Sequence, residues 1–252
     1  MSVSKRWTCA WALAALALAW CAAGAAGEAR EERFNPNAVK FSDLFGAFNE
    51  SYKQALYATS LGEKEAAREL TGARVSWQMV LGSYYETPPE EYRKDEGWRR
   101  DLATITGYLQ IADMQVEAGR LAEAHETLEP IRRVWVEING RNGVRRFGDE
   151  LVKFHEVMEP TVVMALAGVG EENIGEFEER VRELSEGWRG VEEFGFAPSS
   201  GERRERYEGM AVNVRTAVGN LARATEERDY AKLGPLAKAV KGAFAELYLA
   251  FG

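Results

Sequence analysis

The stretch LAEAHETLEPIRRVWVEI, Leu121 to Ile138, decides the fold class. Its apolar residues Leu121, Ala124, Leu128, Ile131, Trp135 and Ile138 recur every three or four positions, the spacing of one helix face. Asn139 to Gly143 are turn residues and end this helix. A second helix then starts near Gly148 and carries Leu151, Phe154, Met158, Val162 and Ala165 at the same spacing. The two arms form a helical hairpin, and both of the chain's histidines lie on it.

Outward from the hairpin, every segment from Val39 onward keeps a helical period. Phe41, Leu44, Phe45, Phe48, Tyr52, Ala55 and Leu56 mark a first helix, and Leu70, Val75, Trp77 and Val80 mark a second over about 63–84. Pro88 and Pro89 break the chain, and because proline suits a first turn a third helix is expected from about Glu90 to Ala118, capped by Gly119. Further helices are expected at about 171–193, 201–227 and 229–249. No stretch alternates with β-branched residues, so the fold is expected to be all-α with about eight helices.

The helices recur in order at a spacing of about 110 residues. Trp135 and Phe244, Ile138 and Leu247, and Ile105 and Val214 are each 109 apart, Ala55-Leu56 and Ala165-Leu166 are 110 apart, and Trp77 and Trp188 are 111 apart. This predicts two tandem, internally duplicated antiparallel four-helix units, 39–143 and 144–252. A period of this size is far longer than the helix-pair units of solenoids.

Ahead of them, residues 1–26 read as a cleaved signal peptide: basic Lys5 and Arg6, an apolar run from Trp11 to Trp20, then small residues up to Ala26. Residues 27–38 read as an extended lead-in. The protein is therefore expected to be periplasmic or secreted, with no membrane span in the mature chain, since the apolar run is shorter than the about 20 residues a bilayer needs. A lipid anchor at Cys21 is not expected, because bulky Trp20 precedes it. Both cysteines, Cys9 and Cys21, fall within the signal, which leaves no disulfide and no thiolate site. Of 32 basic and 40 acidic residues, cleavage removes Lys5 and Arg6, leaving 30 against 40. Such an acidic chain is a poor partner for nucleic acid or an anionic membrane surface.

The hairpin carries the pattern His-Glu-x-x-Glu-Pro twice: His125 to Pro130 and His155 to Pro160. Positions i and i+4 share a helix face, so His125 pairs with Glu129 and His155 with Glu159. Measured down from the turn at 1.5 Å per residue, His155 lies at about 12 Å, Glu129 at about 15 Å, Glu159 at about 18 Å and His125 at about 21 Å, so the four interleave. Imidazole with carboxylate suits iron, copper or zinc. The expectation is a transition-metal site of His125, Glu129, His155 and Glu159, used for storage, delivery or sensing. Glu159 has no basic residue three or four positions on, so Arg132 or Arg133 is the expected counter-ion if no metal binds.

Enzyme signatures are not met. Glutamates stand where the second histidine of His-Glu-x-x-His belongs, no Gly-x-Ser-x-Gly is present, and Gly168-x-Gly170 lacks a dinucleotide fingerprint's third glycine. No catalysis is expected. The alternative is a periplasmic protein-interaction or scaffold module without metal. Ala118 to Ala124 resembles the inter-helix turn of tetratricopeptide-type repeats over that one turn; Tyr84, Tyr85, Tyr92 and Trp98 would supply an aromatic surface if exposed, but are rather expected to be core and loop-anchoring residues.

Overall fold

A computed structural model describes residues 39–197 and 200–252. The signal peptide over 1–26 and the lead-in over 27–38, Cys9 and Cys21 included, lie outside the described residues. The described residues are all-helical and belong to one compact unit. The helices are α1 (Phe41–Leu61), α2 (Ala66–Tyr84), α3 (Trp98–Glu117), α4 (Leu121–Leu128), α5 (Pro130–Arg141), α6 (Phe147–Ala167), α7 (Ile174–Phe194), α8 (Gly201–Glu226) and α9 (Tyr230–Phe251). α4 and α5 are one rod divided at Pro130, so the described chain has eight rods. Pro130 has no N–H for the Glu126 carbonyl four residues back, and its ring crowds that turn.

Each helix touches the next, and each set of four rods closes on itself: α4 returns to α1, and α9 returns to α6. Two apolar cores result. One joins Phe41, Phe48, Trp77, Trp98, Ile105, Leu128 and Trp135; the other joins Phe154, Phe177, Leu184, Trp188, Val214 and Phe244. The first is aromatic-rich, with Phe45 and Trp135 meeting edge to face at 4.4 Å, a geometry that adds about 0.5–1.5 kcal/mol beyond burial. The two cores meet along a seam where α5 touches α6 and α9 touches α1.

Helix three differs from its expected limits. It starts at Trp98, and only a single 3₁₀ turn, Glu90–Tyr92, follows the two prolines. Between Glu90 and Gly97 the one apolar residue is Tyr92, so no apolar stripe holds this segment to the core as a helix. It is pinned instead by polar contacts: Asp95 accepts from Gly97 N at 2.9 Å and from Asn142 Nδ2 at 2.7 Å, and Tyr92 donates to Asn139 Oδ1 at 2.7 Å. The aromatics near the prolines are core and anchoring residues, not a binding surface. Tyr92 and Trp98 are 0% and 1% exposed and belong to the first core, while the Tyr84 hydroxyl ties down Val39 O at 2.8 Å. Gly119 stops α3 as anticipated, at φ +72°, where a side chain would be strained.

These burial patterns set a contrast on one helix. Trp77→Ala is expected to lower unfolding free energy by about 3–5 kcal/mol in denaturant titration. Val75→Ala, on the exposed face of the same helix, is expected to change it by under about 0.5 kcal/mol.

Candidate functional site

The seam between the cores opens into a cavity of about 640 Å³, within the range of small-molecule sites. Four rods wall it. α1 supplies Leu56, Tyr57 and Ser60; α4 and α5 supply His125, Glu126, Glu129, Arg132 and Arg133; α6 supplies His155, Met158, Glu159 and Val163; α9 supplies Lys241, Phe244, Ala245 and Tyr248. All four residues of the expected metal site therefore line a single cavity. The i, i+4 pairing also holds, with His125 Nε2 at 3.3 Å from Glu129 Oε1 and His155 Nε2 at 3.7 Å from Glu159 Oε2.

What lies between the two pairs is a guanidinium. Arg132, 6% exposed, sits one turn after Glu129 and pairs with its Oε2. Its Nη2 also lies 3.0 Å from His155 Nδ1 and 3.1 Å from His155 Nε2. Arginine only donates, so the facing imidazole nitrogen must carry a lone pair. His155 is accordingly held neutral: burial, then Arg132, Lys241, His125 and Arg133, push it from 6.5 down to about 3. His125 is also pushed down, chiefly by burial, against the Leu56 carbonyl that its Nδ1 meets at 3.0 Å. That contact makes Nδ1 the donor and leaves Nε2 as an acceptor beside Glu129 Oε1.

The counter-ion of Glu159 is not Arg132 or Arg133 but Lys241, whose Nζ donates to Oε1 at 2.8 Å across from α9. Arg133 pairs with Glu156 at 3.7 Å. Glu159 Oε2 is buried and has no hydrogen-bond partner. Lys241 was not singled out by sequence reasoning, yet a signal existed: it lies 109 residues after Arg132, at the spacing of the repeat.

Two consequences follow for the chemistry. Lys53, Arg132, Arg133 and Lys241 balance Glu126, Glu129, Glu156 and Glu159, so the lining has no net charge while the histidines are neutral. Glu159 Oε2 has no hydrogen-bond partner, and the Leu56 contact leaves His125 Nε2 with a lone pair beside Glu129 Oε1. Among the described residues no three imidazole or carboxylate groups gather as a metal's coordination shell. The guanidinium takes the space between the two His–Glu pairs.

Compared with protein-family models, curated proteins and solved structures, the chain matches none of them.

The depressed pKa of His155 fixes a direction for pH dependence. The unfolded chain takes up a proton near pH 6.5 that the folded site refuses until about pH 3. The contribution is therefore complete above pH 6.5 and is lost progressively as pH falls toward 3. His155→Gln is expected to flatten the wild-type decline in unfolding free energy over this window in urea titrations at stepped pH. An unchanged slope would contradict the assignment.

Proposed function

We propose that this chain is a ligand-binding protein, acting outside the cytoplasm, whose seam cavity takes an uncharged organic molecule bearing O–H or N–H donors. The reading is carried by one observation: His125, whose Nδ1 contact leaves Nε2 an acceptor, and Glu159, whose Oε2 has no partner, both line a charge-balanced cavity with apolar walls. An unsatisfied buried acceptor costs about 1–3 kcal/mol, so a ligand donor placed there gains what a ligand of acceptors alone does not. An anionic head would add like charge beside Glu129 and Glu159. A cationic head would meet Arg132 and Lys241. The acidic balance of the chain and the N-terminal signal expected from its sequence support an exported carrier or sensor.

Nile red, an uncharged dye, is expected to bind the mature protein saturably at one site. Decanamide should displace it better than decanoate at pH 7, because the carboxylate has no donor. Ala245→Trp, which fills the cavity from α9, is expected to abolish dye binding. Equal binding to wild type and Ala245→Trp, or preference for decanoate, would overturn the reading.

One observation favours a second reading. The Nε2 lone pair of His125 and Glu129 Oε1 stand 3.3 Å apart, a spacing that a cation between them suits. An iron, copper or zinc ion there requires Arg132 to swing off Glu129 and His155. Stoichiometric zinc or copper binding that is lost in His125→Ala would establish that reading; equal metal content in both proteins would remove it.

A further inference from the structure

Among the described residues eight large hydrophobic side chains are exposed, and four of them lie on the last turns of α1 and α6. Tyr57 and Val163 are 39% and 56% exposed and line the cavity mouth. Leu61 and Leu166, 53% and 50% exposed, continue the same helix faces one turn further out. The inner end is different in kind. Arg132, Val152 and Tyr248 form it, and each is under 8% exposed. Between the two ends lie Glu159, one turn inward from Val163 with Oε2 unpartnered, and His125, whose Nδ1 meets the carbonyl of Leu56.

The order from inside to outside is thus buried Arg132, the polar groups of His125 and Glu159 flanked by exposed Arg133, Glu156 and Lys241, then the exposed apolar side chains. We infer that the ligand is a single-chain amphiphile: an uncharged donor head against His125 and Glu159, and a hydrocarbon tail leaving the cavity along Tyr57, Leu61, Val163 and Leu166. This rests on the cavity being a site for an uncharged organic ligand, and it names the class. The rim favours a tail over a protein partner on size. Four side chains fall well short of the roughly 800 Å² that each partner of a stable protein interface buries. The same four side chains suit a hydrocarbon chain one molecule wide.

The test is a series of 1-monoacylglycerols with tails of about six to fourteen carbons, titrated into the mature protein by competition with Nile red. Each added methylene buried is expected to lower Kd about three- to fourfold. The double variant Leu61→Asp/Leu166→Asp, at exposed positions that folding tolerates, is expected to weaken the longest member at least tenfold and leave the shortest unchanged. Val75→Asp, an exposed apolar site elsewhere, should do neither. A Kd independent of tail length, or full retention of the longest member by the double variant, overturns the tail path and leaves the cavity reading standing. Failure of every member to compete removes both. A wild-type dimer in sedimentation velocity that the double variant abolishes also overturns the inference, by assigning the rim to a protein contact.

Discussion

Arg132 places a guanidinium, 6% exposed, where α1, α5, α6 and α9 come together. Removing such a charge from water costs several kcal/mol unless partners surround it. Glu129 supplies the charge, His155 the acceptor, and the Tyr248 ring lies 5.6 Å beneath the guanidinium. Each partner sits on a constraint of its own. Glu129 is fixed by the rod that bends at Pro130, His155 by the run of α6, and Tyr248 by α9 closing on α6. This cation forms part of the cavity's inner wall and adds to burial in holding His155 neutral.

The same interaction separates what the sequence made legible from what it did not. Helical periodicity was plain because each rod buries one stripe, and residues such as Leu128, Ile138 and Phe154 fall where three-and-four spacing puts them. The pairing of His125 with Glu129 and of His155 with Glu159 was legible because i, i+4 neighbours are set by the helix alone. Hairpin depth made a shared cavity possible, but whether both pairs face it was not legible. Long-range partners were not legible in this way. Arg132 was a candidate partner for Glu159, yet it reaches its own helix's Glu129 and His155 across the seam, while Glu159 takes Lys241 from a helix about 80 residues later in the chain. Periodicity gives a residue's face but not which cation on a neighbouring helix arrives first.

The start of helix three failed for a related reason. Proline marked where a helix is permitted, but only apolar stripes decide where one is held, and Glu90 to Gly97 has no stripe. Asp95 and Tyr92 anchor that segment through side-chain hydrogen bonds that no local pattern encodes. The repeat of about 110 residues, read as a duplication, gives the seam a rationale: α5 meets α6 as α9 meets α1, so the cavity lies where equivalent helices of the two units face each other. Polar identity differs there, with histidine at 155 where the position 110 residues earlier is Phe45.

The central claim, that Arg132 is a buried cation held by Glu129 rather than a surface charge, is tested most directly by a double-mutant cycle in unfolding free energy. The account predicts that Glu129→Gln alone costs roughly 3 kcal/mol by stranding the guanidinium. Arg132→Met/Glu129→Gln should then cost clearly less than the sum of the two single changes. Single costs that add within about 0.5 kcal/mol would contradict it.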